Sequence, residues 1–214
     1  MSLLEIYRDH VLPMYSPPVF HKWFYVKFPE PNTWFQARVN YSRSVAVMSM
    51  IGYIVGLGDR HGENILLDST NGDCVHVDLN CLFWKGLTFD KPEKVPFRLT
   101  HNMIDGMGIT GYEGVFRKVC ELTLSVLRAN RETLLSVLET FIYDPLVEWS
   151  KEKKADTENS QALKIVREID TRLQGKAGQL DVPLPVEGQV HLQIEEAVSL
   201  QNLSEMYIGW ASWM

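Results

Sequence analysis

Cysteine is scarce in this 214-residue sequence, which contains Cys74, Cys81 and Cys120 and no others. Three cysteines without a Cys-x-x-Cys spacing do not form an even disulfide framework, so a reducing compartment is favoured. His76 lies between Cys74 and Cys81 in the sequence, but this spacing matches no common zinc finger. The cysteines therefore predict neither a disulfide scaffold nor a zinc site.

A surplus of positive charge is also missing, because 21 Lys and Arg face 27 Asp and Glu and give a formal net charge of −6. Nucleic-acid surfaces neutralise phosphates with Lys and Arg, so no general nucleic-acid surface is predicted. The start of the sequence, MSLLEIYRDHVLPMY, carries acidic residues and lacks the apolar block of a signal peptide. No apolar run is long enough to span a bilayer, so we expect a cytosolic or nuclear protein without a membrane segment.

What is present indicates a globular protein that is mostly helical. Residues 1–12 predict a short helix that stops at Pro13, and Thr33–Leu57 predicts one long helix. Its stretch SVAVMSMIGYIVGL is apolar on nearly all sides, which predicts burial. Helical spacing resumes near Val115 and continues to about Tyr143, where Asp144-Pro145 would end it. A last amphipathic helix is predicted over residues 162–175, with Gly175 as its stop.

Two short β-type runs, NILLD and CVHVD, flank the connection STNGD, and an Asn-Gly pair between such runs favours a tight hairpin. The predicted fold class is therefore mainly α with a small β-hairpin. Residues 79–109 show no sustained period, and so long a loop inside a domain is usually functional. The aromatic C-terminal residues Tyr207, Trp210 and Trp213 are expected to pack on the core rather than on a membrane, because Lys and Arg are absent nearby.

The stretch GLGDRHGENILLD places polar residues between two apolar segments, at the mouth of the predicted hairpin. Asp59 and Asn64 lie on one loop, and Asp78 ends the second strand at the same mouth. Phosphoryl transfer needs this set: an Asp to orient or deprotonate the attacking hydroxyl, and an Asn and a second Asp to bind Mg²⁺. His61 could serve as the base in place of Asp59, or stabilise the transferring phosphoryl group, and the sequence does not choose between them.

Asp, Asn and Gly are also ordinary turn residues, so each of these positions taken alone has a simple structural explanation. The joint occurrence of Gly-Asp-Arg-His with an Asn three positions later is improbable by chance in a chain of this length. The set as a whole therefore predicts a catalytic site.

These motifs resemble the catalytic and metal-binding loops of the phosphatidylinositol 3-kinase-related protein kinases, and the last residues resemble their FATC segment. The matching stretches are GDRHGEN, VHVDLN and MYIGWASWM, and the wider similarity is to the branch of this family that signals DNA damage. The resemblance implies the C-terminal lobe of a protein-kinase-like fold over residues 1–181, with a charged linker at 151–160, followed by a FATC helical segment over 182–214. It also implies Asp59 and His61 as catalytic residues, Asn64 and Asp78 as metal and nucleotide ligands, and Leu66 and Val77 as the apolar floor beneath adenine.

The same resemblance implies ATP and Mg²⁺, or Mn²⁺ in its place, as cofactors, and protein substrates with Ser or Thr followed by Gln. It implies a nuclear enzyme whose regulatory partner binds through regions outside this chain, with no direct contact of this segment to nucleic acid. No glycine-rich phosphate loop followed by a strand lysine precedes Asp59. We therefore expect the chain to be a fragment that is inactive by itself.

Two other functions stay open at this point: a phosphoinositide lipid kinase, and a non-catalytic interaction fragment. A lipid kinase needs clustered Lys and Arg in the segment 79–109 to bind an anionic head group. The basic residues of that segment are accompanied by Asp90 and Glu93, which favours a protein substrate; these basic residues are Lys85, Lys91, Lys94 and Arg98.

Overall fold

The computed structural model describes residues 1–142, 155–176 and 182–214 and is mainly helical with one small sheet. The predicted fold class is thereby confirmed. The helices are α1 (Leu3–Ile6), α2 (Leu12–Met14), α3 (His21–Lys27), α4 (Pro31–Val55), α5 (His101–Met107), α6 (Val115–Ala129), α7 (Arg131–Ile142), α8 (Ala155–Leu173), α9 (Val186–Val198) and α10 (Leu200–Ser204). The strands are β1 (Ile65–Leu67) and β2 (Cys74–His76). No helix in the described ranges has the length and apolar character needed to cross a membrane.

The chain divides into two compact units. One comprises Met1–Thr123 with Val190–Met214 and contains the hairpin and residues 58–64, the polar loop. The other comprises Leu124–Gln189, where α7 packs against α8 and Arg131 donates a hydrogen bond to Asp170.

Helix α4 is the buried spine of the first unit, close to the predicted Thr33–Leu57. Val45, Ala46 and Met50 are fully buried, as the apolar stretch predicts, although Ile51 of the same stretch is 38% exposed. The helix ends at Gly56, whose φ of +64° is left-handed. A Cβ at Gly56 would lie 2.6 Å from the Trp84 ring, so only glycine fits where the chain turns into the polar loop.

The predicted hairpin is confirmed, with antiparallel pairing of Ile65 with His76, Leu66 with Val75 and Leu67 with Cys74. Its connection is longer than the two-residue turn that Asn-Gly favours. The Asp68 N–H donates to the Asp73 carbonyl at 2.8 Å, and Asp68 Oδ1 accepts the Thr70 N–H at 2.7 Å. The Asp68 side chain thus organises the turn, which brings the ends of the hairpin next to the polar loop.

The predicted helix stop at Pro13 is wrong, because the chain stays helical from Leu3 to Met14. Tyr7–Val11 forms a π-helical turn in which the Leu12 N–H bonds to the Tyr7 carbonyl. Proline normally breaks a helix by clashing with the carbonyl four residues before it. The wider π turn moves that carbonyl away, so the helix passes through Pro13.

Residues 79–109, expected to be irregular, contain a 3₁₀ turn at Lys85–Thr88 and the short helix α5. Tertiary contacts support α5: the Asp105 carboxylate accepts the His21 N–H at 2.8 Å, and the Met103 carbonyl accepts the Tyr41 hydroxyl at 3.1 Å. Two turns of helix leave too few residues for a visible period, which is why the pattern does not reveal them.

Helices α6 and α7 confirm the helical spacing after Val115, and Gly175 ends the last predicted helix with φ +83°. Helix α8 begins at Ala155 rather than at residue 162, so residues 155–160 of the expected linker are helical. Residues 151–154 and the expected break at Asp144-Pro145 lie outside the described residues.

The C-terminal segment packs on the N-terminal helices, as predicted for Trp210. Trp210 is 4% exposed and clusters with Tyr7, Leu203 and Met206. Tyr207 departs from the expectation, because 58% of it is exposed.

Candidate active site

Asp59 stands at the start of the polar loop in a left-handed backbone conformation, with φ +58°. Such a conformation is unfavourable for a residue with a Cβ and persists where neighbours fix it. The Gly58 N–H donates to the Cys81 carbonyl at 2.8 Å, and the Asp59 N–H donates to Glu93 Oε1 at 2.8 Å. Residues that follow β2 in the sequence thus hold the start of the polar loop in place.

His61 lies beside Asp59, with its Nε2 3.9 Å from Asp59 Oδ1. His61 Nδ1 accepts the Glu63 N–H at 3.2 Å and caps the 3₁₀ turn Gly62–Asn64. A ring nitrogen that accepts a hydrogen bond carries no proton, so in the neutral imidazole the proton resides on Nε2. The His61 nitrogen nearest to Asp59, Nε2, is therefore a hydrogen-bond donor in the neutral ring.

Asn64 is 7% exposed, and its Nδ2 donates to the Asp59 carbonyl at 2.7 Å. This bond fixes which end of the amide is nitrogen. Within the described residues, the amide oxygen forms no hydrogen bond. Asn64 thus has an oriented oxygen available to a cation.

Asp78 follows β2 in a left-handed conformation, with φ +53°, and its carboxylate is exposed. Oδ1 accepts the Asn80 N–H at 3.3 Å, and the carboxylate joins no salt bridge among the described residues. Asp78 therefore carries charge that no side chain in those ranges neutralises through an ion pair.

The two candidate ligands, Asn64 and Asp78, both present oxygen, which Mg²⁺ prefers, and Mg²⁺ typically takes one or two protein groups besides phosphate and water. In the part of the chain that the structure describes, no three His, Cys, Asp or Glu side chains form a metal-binding group. An all-protein cage for zinc or calcium is therefore not found there, whereas the donor set fits Mg²⁺ bound together with a phosphate.

Arg60, to which the sequence patterns assigned no role, connects these residues. The side chain is 3% exposed, and Nε donates to the Gly58 carbonyl at 2.8 Å. Nη1 donates to the carbonyls of Val77 at 2.7 Å and Asn64 at 3.4 Å, and Nη2 donates to the Asp78 carbonyl. One guanidinium therefore joins the polar loop to the end of β2 and brings the backbones of Asn64 and Asp78 together.

The hypothesis of phosphoryl transfer made from the sequence predicts that Arg60→Lys in the full-length protein lowers the transfer rate by about 10²-fold, because misplaced reacting groups cost about that much. A single ammonium cannot donate in several fixed directions at once, as the guanidinium does. Arg8→Lys is the matched control, since Arg8 is exposed and pairs with Asp9 away from the loop. Steady-state rates of phosphoryl transfer are measured for both variants. A wild-type rate for Arg60→Lys would contradict the role of Arg60.

Arg98 connects the C-terminal segment to the same loop, a role that the sequence patterns did not indicate. Its Nη2 donates to the carbonyls of Ala211 at 2.9 Å and Met214 at 3.1 Å, and its guanidinium lies 4.4 Å from the centre of the Trp210 ring. Nη1 donates to the Trp210 carbonyl and, at 3.5 Å, to the Arg60 carbonyl. Residues 210–214 are thus connected to the polar loop through Arg98.

Leu66 and Val77 lie on one face of the hairpin, because Leu66 pairs with Val75 and side chains two residues apart share a face. Leu66 is 50% exposed and Val75 49% exposed. An exposed apolar face beside Asn64 and Asp78 suits the flat ring of a nucleotide base, and Val75 belongs to this face although the resemblance did not single it out.

Two charged residues of the segment 79–109 are turned away from its surface. Arg98 is 5% exposed and bound to carbonyls, and Glu93 is directed at Asp59, so neither is available to a substrate head group. The exposed charges that remain are Lys85, Lys91 and Lys94 against Asp90, and Lys94 Nζ lies 3.7 Å from Glu205 Oε2. One basic and one acidic residue are thus withdrawn together, so the surface of the segment is no more basic than its sequence indicates.

Comparison with known proteins gives two family matches. Residues 4–151 match the phosphatidylinositol 3- and 4-kinase family, and residues 183–214 match the FATC domain.

Among curated relatives, the chain is 61% identical over 212 residues to the serine/threonine-protein kinase ATR of Arabidopsis thaliana, covering 98% of this chain and 8% of that protein. It is 55% identical over 210 residues to the protein kinase rad3 of Schizosaccharomyces pombe, covering 98% of this chain and 9% of that protein. The chain thus spans less than a tenth of the length of these two relatives. Among solved structures, the FAT and kinase domain of CtTel1 superposes with a TM-score of 0.89 at 40% identity, covering 99% of this chain and 14% of that one.

Proposed function

The chain belongs to the phosphatidylinositol 3- and 4-kinase family, and on that premise we propose that it is the catalytic lobe of a serine/threonine protein kinase of the ATR type. One observation carries this proposal: the Arg60 guanidinium binds the carbonyls of Asn64 and Asp78, while Asn64 Nδ2 binds the carbonyl of Asp59, whose carboxylate lies beside His61. Relatives at 55–61% identity bear the name of this kinase or of its yeast counterpart rad3.

In the proposed reaction the hydroxyl of a Ser or Thr attacks the γ-phosphorus of ATP. A bond forms between the hydroxyl oxygen and phosphorus, the bond to the β–γ bridging oxygen breaks, and ADP leaves. Asp59 takes the hydroxyl proton, because His61 Nδ1 is occupied by the Glu63 N–H and its Nε2 carries a proton. The His61 Nε2–H then stabilises the negative charge on the transferring phosphoryl group.

Leu66 and Val77, with Val75, provide the apolar surface for adenine, and Asn64 and Asp78 would hold Mg²⁺, or Mn²⁺ in its place. When bound, the metal ion neutralises phosphate charge and orients the leaving group. The chain's own contribution is orientation: Asn64 is fixed by the Asp59 carbonyl, and Asp78 is fixed through Arg60.

We propose substrates that are proteins with Ser or Thr followed by Gln, in DNA-damage checkpoint signalling in the nucleus. In the full-length protein an ATR-interacting protein would bind through regions outside this chain, and this segment would not contact nucleic acid directly. These assignments are supported by the identity to relatives named ATR and rad3. The proposed division is a C-terminal kinase lobe over residues 1–181, with 151–160 as its connecting segment, and a FATC domain over 182–214.

Assays with the full-length kinase test the proposal. A peptide with Ser-Gln is expected to be phosphorylated at least about 10-fold faster than the same peptide with Ser-Ala, because a site built to bind a polar side chain rejects one that lacks it. Phosphatidylinositol vesicles are the third substrate, because exposed lysines in the segment 79–109 attract an anionic lipid head group. Transfer of radiolabelled phosphate is measured for all three.

The isolated 214-residue chain is the second arm of the same experiment and is expected to show little or no transfer. Phosphoryl transfer depends almost entirely on positioning, and this sequence has no glycine-rich loop with a strand lysine before Asp59. Faster phosphorylation of vesicles than of peptides would reassign the enzyme as a lipid kinase. Absence of transfer by the full-length protein would favour a non-catalytic interaction module.

A further inference from the structure

Glu93 lies 34 positions after Asp59 in the sequence and contacts its backbone. Glu93 Oε1 accepts the Asp59 N–H at 2.8 Å. The Glu93 N–H donates to the Gly86 carbonyl at 3.1 Å, which fixes the residue within its own segment. The segment after β2 therefore returns to the polar loop through the Glu93 side chain.

Two glycines leave the space that the Glu93 carboxylate fills. A Cβ at Gly58 would lie 2.2 Å from Glu93 Oε2, and a Cβ at Gly86 would lie 2.0 Å from the same oxygen. Real Cβ atoms do not approach an oxygen so closely, so any larger residue at either position would displace the carboxylate. The close fit leaves the side chain little freedom to move away from the Asp59 N–H.

Side chains fix the Asp59 backbone on both sides. Its N–H donates to Glu93, and its carbonyl accepts Asn64 Nδ2 at 2.7 Å. Because φ at Asp59 is +58°, its relaxed conformation differs from the one observed, and loss of either bond would let the residue move toward it. The direction of the Asp59 carboxylate depends on this backbone.

We propose that Glu93 is a positioning residue that orients the Asp59 carboxylate by accepting the Asp59 backbone N–H. The inference rests on the function proposed above, in which Asp59 deprotonates the substrate hydroxyl. Glu93 belongs to the segment 79–109, so the conformation of this segment determines whether Asp59 is oriented for reaction. Displacement of the segment would remove the acceptor and leave the base misaligned.

Charge on Glu93 is not required for this role. Burial raises the pKa of Glu93, and the nearby Asp59 carboxylate raises it too, yet either protonation state keeps an oxygen lone pair for the N–H. An amide side chain of the same shape can accept the same bond. Glutamine should therefore replace glutamate at this position, whereas alanine should not.

Direct contact with the substrate is the main alternative role. Glu93 lines a cavity of about 80 Å³ together with Asp59, His61 and residues of the C-terminal segment. A residue that binds the peptide would change the KM for the peptide, whereas a positioning residue changes kcat. The two roles are thus separable by kinetics.

Full-length Glu93→Ala is expected to lower kcat for a Ser-Gln peptide by about 10- to 10²-fold, with unchanged KM values for peptide and ATP. Glu93→Gln should stay within about threefold of wild type, because its amide oxygen accepts the N–H. Glu132→Ala is the control, since Glu132 is an exposed glutamate on α7. A change in the peptide KM alone, or a Gln variant as slow as the Ala variant, would overturn the proposal.

Amide hydrogen exchange gives a second readout that needs no activity. In Glu93→Ala, exchange of the Asp59 amide, followed in a proteolytic peptide covering residues 57–61, should be faster than in wild type, while Glu93→Gln and Glu132→Ala should match wild type. If the full-length protein phosphorylates no peptide, the function proposed above fails, and this exchange experiment still decides whether Glu93 orients Asp59. Unchanged exchange in Glu93→Ala would overturn the positioning role.

Discussion

Asp78→Ala in the full-length kinase is expected to abolish phosphoryl transfer, with turnover reduced by about 10³-fold or more. The alanine removes the only carboxylate proposed to bind Mg²⁺, and the remaining ligand, the amide oxygen of Asn64, is uncharged. Folding should be unaffected, because the exposed Asp78 carboxylate makes one 3.3 Å hydrogen bond to Asn80 and no salt bridge among the described residues. The backbone carbonyl that Arg60 binds is retained in the variant.

Asp73→Ala is the matched control for Asp78→Ala. Asp73 precedes β2 in the same hairpin and accepts a bond from Asn71 Nδ2, but it lies at the opposite end of the strand from Asp78. Steady-state turnover with a Ser-Gln peptide is compared for both variants, and near-ultraviolet circular dichroism checks that each is folded. A well-folded Asp78→Ala enzyme with normal turnover would show that the metal assignment is wrong.

Asp59→Ala is expected to cost about 10²- to 10⁴-fold in kcat, the range that general-base catalysis contributes. His61→Ala should cost less, because the Nε2 of His61 faces Asp59 as a donor while Nδ1 caps the 3₁₀ turn. The order of the two effects therefore identifies the base. Rates are measured with saturating ATP and peptide, so that binding changes do not obscure the chemical step.

Glu63→Ala is the control for this pair, since Glu63 is exposed and its backbone N–H, which His61 accepts, is present in any residue but proline. His61→Ala as the more damaging variant, with Asp59→Ala close to wild type, would reassign proton abstraction to the imidazole. Equal and small losses of kcat for both variants would show that neither Asp59 nor His61 is catalytic.

The proposed site residues could be predicted from sequence because their identity carries the chemistry. Phosphoryl transfer with Mg²⁺ needs an Asp and an Asn on one loop and an Asp at the end of the next strand. Because the strands of a hairpin run antiparallel, these residues lie at the same end of it. The structure places Asp59, His61 and Asn64 on one short loop and joins Asn64 to Asp78 through Arg60.

The supporting residues could not be predicted, because their partners are backbone atoms of distant segments. Arg60, Glu93 and Arg98 bind carbonyl or N–H groups, which every residue has, so no side-chain pattern reveals the pairing. Glu93 and Arg98 look like surface charges in the sequence, whereas the structure directs both side chains at backbone groups.

Local backbone features escaped prediction for a similar reason. Pro13 is an ordinary helix stop by its chemistry, and only the π-helical turn before it explains why the helix continues to Met14. Helix α5 is only His101–Met107 and depends on tertiary contacts such as the bond from the His21 N–H to Asp105. Burial of most of the second half of α4, by contrast, followed from the apolar character of that stretch.

The central claim is that Asn64 and Asp78 share one divalent cation beside the phosphates of ATP. Its most direct test is a structure of the full-length kinase with a non-hydrolysable ATP analogue and Mn²⁺, in which the anomalous signal of manganese locates the ion. The account predicts an anomalous peak within bonding distance of both the Asn64 amide oxygen and the Asp78 carboxylate. A peak bound by neither residue, or by other side chains alone, would contradict it.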